Sequence, residues 1–491
     1  MMTVSGQPLS ETTRGAPSSR RWVALVVLCL VQFMLTVDDT IVNVAMPAIR
    51  HDLAFSVSSL AWVANAYWLM FGGFLLLGGR IGDLVGRRRL LLAGLVVFTV
   101  ASLINGLAWT PGVLIGARAV QGLGSAMVSP AALALITLMF REPGERARAF
   151  GVWGGIAGAG GALGVLLGGA LTDLLSWRWI FYINVPVGIA VLALIPALIP
   201  ADRAAARRRF DIAGAVTVTG GLLALVYALL GATTYGWDSP VILASLGGCA
   251  VLLAAFVVVE ARQREPLVPL RFFGQRITSV AVVVGLLTPS AFAGMFFLLT
   301  LYLQTLLNYS PFQTGASYLS LVIAMMAAIA VGAGRLIPRL GVRPVLASGL
   351  AIMAVGLATF IRLPLAGSYW RDVAPGLALV GFGAGWAFIS VTIAALAKVR
   401  HEETGLASGI INAAQQVGGA LALAVYVLVA TTSTTGLLAS GASVAGAQVG
   451  GYRAAFLVGT IIAAAGALIA AAGLRGIGPE DSRRAAAALH G

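Results

Sequence analysis

A helix needs about 20 consecutive, mostly apolar residues to cross the ~30 Å hydrocarbon core of a bilayer, and this chain consists of such runs laid one after another. Fourteen candidate spans are separated by short polar or Gly/Pro-containing connections. They run approximately over residues 23–47, 60–78, 90–108, 112–139, 150–172 and 179–199, then 212–232 and 241–259, then 277–300, 315–333, 344–362, 374–397, 408–430 and 453–474. The expected fold class is therefore an all-α integral membrane protein, since a long helix satisfies its backbone amides within its own segment where no water is available. Composition points the same way. With 59% of 491 residues hydrophobic and only 10% charged, against about 25% charged in a soluble domain, the chain cannot build a water-facing surface.

The formal net charge of +14 would suggest nucleic acid only if the basic residues shared one exposed face. Instead they alternate along the chain. Every second connection is basic: Arg14, Arg20 and Arg21; Arg80, Arg87, Arg88 and Arg89; Arg141, Arg146 and Arg148; Arg203, Arg207, Arg208 and Arg209; and so on through Arg335, Arg339, Arg343, Lys398 and Arg400 to Arg475, Arg483 and Arg484. The intervening connections hold only Arg50, Arg178, Arg362, Arg371 and Arg453. Under the positive-inside rule this places both termini in the cytoplasm. Ser19-Arg20-Arg21-Trp22 imitates a twin-arginine signal, but the apolar run from Trp22 is too long for one and no small-x-small site ends it, so it reads as span 1.

Cys29 and Cys249 lie inside apolar runs and read as packing thiols, and His51, His401 and His490 are scattered over connections and the tail. No metal site and no cofactor is indicated. No Ser/His/Asp or Cys/His set converges among the spans, which argues against an enzyme.

An internal repeat gives the domain plan. Gly79-Arg80-Ile81-Gly82-Asp83-Leu84-Val85-Gly86-Arg87-Arg88-Arg89-Leu90-Leu91, between spans 2 and 3, shares Gly, Arg, Gly, Arg and Leu at constant offset with the segment Gly334 to Leu346, between spans 10 and 11. Two equivalent connections eight spans apart imply two six-helix halves with an inserted helix pair. The expected division is a cytoplasmic tail over 1–21, a first half over 22–200, the inserted pair (spans 7 and 8) over 201–265, a second half over 266–475 and a cytoplasmic tail over 476–491.

These residues resemble the major facilitator superfamily, and specifically its fourteen-span drug:proton antiporter branch, over nearly the whole chain from Val23 to about Leu474. Gly79 to Leu91 is similar to the superfamily's G-x-L-a-D-r-x-G-r-k signature, and Arg118-Ala119-Val120-Gln121-Gly122-Leu123-Gly124 to its R-x-x-q-G-x-g element. Asp38-Asp39-Thr40-Ile41-Val42-Asn43-Val44-Ala45-Met46-Pro47 and Trp177-Arg178-Trp179-Ile180-Phe181-Tyr182-Ile183-Asn184-Val185-Pro186-Val187-Gly188 resemble signatures of the fourteen-span branch. The antiporter motif G-x-x-x-G-P-x-x-G-G is met at Gly160, Gly164, Gly168 and Gly169, with Val165 where the motif has proline. The resemblance implies a monomeric secondary transporter of the inner (plasma) membrane that exports small amphipathic molecules, such as drugs, antibiotics or secondary metabolites, in exchange for protons by alternating access. The alternative is a proton-coupled metabolite importer. The implied partners are the small-molecule substrate, protons and the lipid bilayer, with no nucleic acid.

Intramembrane charges are costly and survive mainly where they face a cavity or a partner. Span 1 has two acids in tandem. Gln32, Thr36, Asp39 and Asn43 share one helical face, whereas the family motif matches its acid to Asp38, so Asp38 and Asp39 both stand as proton-coupling candidates. Arg118 is the one base deep in a span, at a depth similar to that of the acids, and is expected to neighbour them with Gln121 and Ser125 on its face. Low dielectric favours a neutral acid and a nearby guanidinium favours the carboxylate, which makes a tunable switch. Candidate substrate contacts are Gln32, Thr36, Asn43, Tyr67, Gln121, Tyr302, Gln304, Trp386, Asn412 and Gln416, with Trp62 and Trp68 as further aromatics. Gly79, Asp83, Gly86, Arg87 and Arg88 form an expected conformational latch. The antiporter-motif glycines are expected to allow close, sliding helix contact.

Overall fold

The structure is a computed structural model, and it describes residues 18–200, 202, 211–263, 266–268, 270–397, 404–476, 478 and 480. The outermost tails, the basic residues Arg14, Arg203, Arg207, Arg208, Arg209, Arg264, Lys398, Arg400, Arg483 and Arg484, and His401 and His490 lie outside the described residues.

Among the described residues, fourteen helices are long and apolar enough to cross a membrane. Spans 1 to 6 are Arg20–Asp52, Val57–Val85, Arg87–Gly106, Pro111–Met139, Gly144–Leu174 and Trp179–Leu198; spans 7 and 8 are Ile212–Tyr235 and Pro240–Arg262. Spans 9 to 14 are Arg276–Leu306, Pro311–Val331, Val342–Arg362, Tyr369–Ala395, Gly405–Ala439 and Val444–Gly473. Local chemistry starts several of them. Thr110 accepts from the Val113 N–H ahead of Pro111, and Ser310 and Gln313 form a reciprocal capping box around Pro311; both place proline where its missing N–H costs nothing.

The helices overrun the apolar windows read from sequence. Span 2 continues through Asp83 to Val85 and span 3 begins at Arg87, so the connection between them is Gly86 alone. Span 11 begins at Val342 directly after Gly341. Gly86 and Gly341, equivalent in the sequence repeat, both have left-handed backbone, with φ of 97° and 82°. Only glycine adopts that region freely, so each repeat copy is a one-residue corner between two helices.

Packing repeats as well. In spans 1–6 the close pairs include 1 with 5, 1 with 6, 2 with 4, 3 with 4 and 3 with 6; in spans 9–14 they include 9 with 13, 9 with 14, 10 with 12, 11 with 12 and 11 with 14. The second set is the first shifted by eight spans. Between the two sets, span 2 packs on span 13 and span 5 on span 10, pairs that interchange under the same shift. Span 7 lies against spans 2 and 13 and carries span 8 on its outer side. Span 8 is accordingly the most peripheral, with 11% of its apolar window buried against 61% for span 1.

At the end away from Gly86 the two sets close on each other through small residues. A Cβ at Gly169 would stand 2.5 Å from the Pro311 carbonyl oxygen, and one at Gly315 would meet the carbonyl of Val165. Backbones this close need glycine, because lipid is as apolar as leucine and helix association must come from packing. Gln304 adds a hydrogen bond, its Nε2 donating to the Val44 carbonyl at 2.8 Å. At the Gly86 end the sets part and leave a cavity.

Candidate functional site

The cavity measures about 850 Å³ and is walled by spans 1, 2, 4 and 13, with the Gly86 corner at its mouth. From span 1 come Gln32, Thr36 and Asp39; from span 2 Tyr67, Phe71, Gly79, Arg80 and Asp83; from span 4 Ser129, Pro130 and Thr137; from span 13 Ser408, Asn412 and Gln416. It ends inside the membrane at Asp39. One carboxylate oxygen of Asp39, Oδ1, accepts from the Trp68 indole N–H at 2.5 Å.

Asp38, one residue earlier, points 100° around the helix into a sealed polar cluster. Its Oδ2 accepts from Arg118 Nη1 at 2.7 Å, and its Oδ1 from Gln121 Nε2 at 2.8 Å and Asn184 Nδ2 at 2.7 Å. Arg118 also donates Nε to the Val63 carbonyl at 2.9 Å and Nη1 to Gln121 Oε1 at 2.8 Å. Gln121 is held further by Asn105 Nδ2 and Ser102 Oγ, each at 2.8 Å. The Tyr67 ring lies under the guanidinium, 4.3 Å from its centre, and the Tyr67 hydroxyl is 3.0 Å from Ser125 Oγ. Asp38 and Arg118 are 0% and 1% exposed. A buried ion pair survives when its remaining hydrogen-bonding groups are satisfied, and spans 1, 2, 3, 4 and 6 all contribute here.

The structure therefore brings Asp38, Arg118 and Gln121 into one cluster, and Gln32, Thr36, Asp39, Tyr67, Asn412 and Gln416 onto one cavity wall. It does not bring the other expected contacts there. Asn43, next on the Asp39 stripe, lies beyond the sealed apex and turns its amide back to its own helix, to the carbonyls of Asp39 and Thr40. Tyr302 donates to the Pro364 carbonyl at 2.7 Å and Gln304 to Val44, both at the closed end. Trp386 packs on Gly332 and Gly349 and on the Phe382 ring, 4.7 Å between centroids. Gln121 is wholly buried in the ion-pair cluster rather than on the cavity wall.

The Gly86 corner is organised locally. Arg87 Nη2 lies 2.8 Å from Asp83 Oδ1 across the corner, Arg88 Nη2 donates to the Pro196 carbonyl, and Arg80 reaches the Pro266 carbonyl at 3.4 Å. Asp202 caps span 3, accepting from the backbone N–H groups of Arg87 at 2.7 Å and Arg88 at 3.1 Å. These contacts leave Asp83 and Arg87 lining the open mouth opposite Gly405 and Leu406. Of the antiporter-motif glycines, Gly160, Gly164 and Gly168 lie against span 1, at Thr36, Thr40 and Ile41, and only Gly169 meets span 10. The close contact is mostly with span 1, not a sliding seam along span 10.

Asn184, Ser102, Asn105 and Asp202 are parts of this machinery that the sequence did not single out as site residues. Asn184 stood inside a quoted signature. The others carried no signal of their own, since isolated Ser, Asn and Asp at span ends read as caps and loops.

Fourteen apolar spans around a cavity that opens at one membrane end and stops at intramembrane charges define a multi-pass membrane transport protein. Residues 28–423 match the family model of the Major Facilitator Superfamily, and the chain belongs to that family. It is 40% identical over 469 residues to the puromycin resistance protein of Streptomyces alboniger, covering 94% of this chain and 93% of that one. It is 37% identical to the cephamycin export protein of Amycolatopsis lactamdurans, covering 87% and 88%. Among solved structures, the POT family transporter PepTSo shares the fold, with a TM-score of 0.68 at 17% identity over 92% of this chain and 98% of that one. The protein is thus a membrane transporter of small molecules, not an enzyme.

Proposed function

We propose that the protein exports amphipathic organic molecules, antibiotics or related metabolites among them, from the cell across its plasma membrane in exchange for protons. The halves 22–200 and 266–475 alternate access about the cavity, with 201–265 as an insert on one flank, and one chain suffices. Both termini are cytoplasmic on this reading, which makes the Gly86 end the inner face and the described conformation inward-open.

The observation that carries it is the position of the tandem acids. A coupling group must be reachable by protons from one side at a time and must sit where substrate binding can sense it. Asp39 ends a one-sided cavity, and Asp38, directly behind it, ties five spans through Arg118, Gln121 and Asn184. A change of charge at this point is felt by five of the six spans of the first half. The names of the relatives, a resistance protein and an export protein, support outward transport over import.

The test is transport of a fluorescent drug by purified protein in liposomes with an imposed pH gradient, for wild type, Asp38→Asn, Asp39→Asn and the double variant. The expected outcome is gradient-driven movement in wild type that at least one single substitution abolishes. Undiminished gradient-driven movement in the double variant would remove span 1 from coupling.

A further inference from the structure

Spans 7 and 8 lie outside the cavity lining, yet at the Gly86 end they bury a second pair of acids. Asp211, just ahead of span 7, is 4% exposed, and Glu260, in the last turn of span 8, is 3% exposed. One oxygen of each has a backbone partner: Asp211 Oδ1 accepts from the Gly214 N–H at 2.7 Å, and Glu260 Oε2 from the Val268 N–H at 3.1 Å. The other two, Asp211 Oδ2 and Glu260 Oε1, are buried and take no hydrogen bond from the described residues. They converge on one point, since a Cβ at Gly214 would stand 2.8 Å from each, and the two side chains are within hydrogen-bonding reach of each other. Among the described residues no base is paired with them. Spans 7 and 13 contain no basic residue. Arg262 of span 8 is exposed, Arg80 of span 2 donates to the Pro266 carbonyl, Arg276 of span 9 donates to the Ala472 carbonyl, and Asp83 of span 2 is paired with Arg87.

Two buried oxygens that can only accept repel each other when both carboxyls are ionised, whereas one proton turns the same contact into a hydrogen bond. We propose that Asp211 and Glu260 share a single proton, and that this proton fastens the connection between the inserted pair and the second set of spans. That connection is tied at two points, to Glu260 through Val268 and to Arg80 through Pro266. Leu267 between them is 4% exposed and sits in a cluster with Leu77 of span 2 and Ala215 of span 7. Val268 packs there too, and against the cluster that Phe272 forms with Ala407 and Ile410 of span 13. Spans 2 and 13 come from different sets and Arg80 lines the cavity mouth, so the connection is a strap that joins both sets beside that mouth. When the shared proton passes to water, two carboxylates face each other where one charge fits; the pair parts and the tether at Val268 loosens. The fastened strap holds one proton more than the released one, so acid pH fastens it and rising pH releases it. This site goes beyond the export reading and does not depend on what the cavity carries.

The experiment follows a single cysteine, Leu267→Cys, in full-length protein carrying Cys29→Ala and Cys249→Ala, purified in detergent and labelled with a maleimide from mildly acid to mildly alkaline pH. Glu260→Gln in the same background is the reference, because its amide donates to Asp211 with no proton to lose while the thiol chemistry is unchanged. The labelling rate with native acids, divided by that of Glu260→Gln, is expected to rise with pH by up to tenfold per unit, as loss of one proton requires. Asp211→Asn keeps the Gly214 cap and offers the same donor to Glu260, so it should also label at the slow reference rate at every pH; it replaces Glu260→Gln as the reference if a thermal melt shows that variant unfolded. A rate ratio that stays flat across pH, or a folded Glu260→Gln that labels rapidly at acid pH where the native pair is protected, would overturn the shared proton. Protection that appears only when Na+ or Mg2+ is added would overturn it equally and make the two carboxylates a metal site.

Discussion

At the scale of single residues, Arg118 is the group whose loss is most informative. Removing it leaves Asp38 buried among donors but without its counter-charge, which costs about 3–5 kcal/mol when a buried pair loses one member. Arg118→Ala is therefore expected to lower the thermal midpoint sharply and to abolish coupled transport. Asp38→Asn with Arg118→Gln removes both charges together; it should melt nearer to wild type than Arg118→Ala does, yet remain uncoupled. A double variant as unstable as the single one would mean that shape, not charge, governs this cluster. The pairing of Arg118 with the span 1 acids was legible from sequence, because residues at equal depth on neighbouring spans can meet and a lone intramembrane base needs a partner. The split between Asp38 and Asp39 was half legible. The helical stripe assigned Asp39 to a cavity face and the family signature pointed to Asp38, and each acid now has its own surroundings: one cavity wall, one sealed network. Which polar groups complete that network was not readable. Ser102, Asn105 and Asn184 become ligands of Gln121 and Asp38 only through the crossing of spans 3, 4 and 6.

Among elements, span 5 shows how similar glycines carry different demands. A Cβ at Gly168 would stand 2.5 Å from the Ile41 carbonyl oxygen, part of a rigid helix backbone, whereas one at Gly164 would meet the Thr40 hydroxyl group, a side chain that can turn or be removed. Gly168→Ala is expected to reduce folded yield and melting temperature strongly. Gly164→Ala is expected to be milder and to be relieved by Thr40→Ala, which the same melting assay reads. At the closed end, Gly169→Leu should wedge span 5 from span 10 and shift the population toward the outward-open arrangement. A cysteine placed at Ser408, on the inner cavity wall, would then label more slowly with a membrane-impermeant maleimide applied from the inner face; an unchanged rate would show that these two spans do not form the outer gate. Element number and order followed directly from hydropathy. Element ends did not, because polar residues such as Asp83 and Arg87 mark the end of the apolar window but are compatible with helix, and only Gly86 breaks it.

Across the whole molecule, the proposed export of a monocationic drug in exchange for one proton is electroneutral. Ethidium export should therefore respond to a pH gradient and be indifferent to an imposed membrane potential of either sign, while a neutral substrate exchanged for a proton should respond to both; potential-driven ethidium flux would require a second titrating group. The sequence by itself determined that the chain lives in a bilayer, how many times it crosses, and that one connection recurs eight spans later, because each of these is a property of one segment and the length, polarity or spacing of its residues. Tertiary structure alone decided which end is open, why Gln304 and Tyr302 stand at the closed end while Gln416 faces the cavity, and which of two neighbouring acids meets water. Those outcomes depend on the azimuth of one helix against others distant in sequence, and a 100° rotation per residue separates a sealed ion pair from a binding wall without leaving any trace in composition.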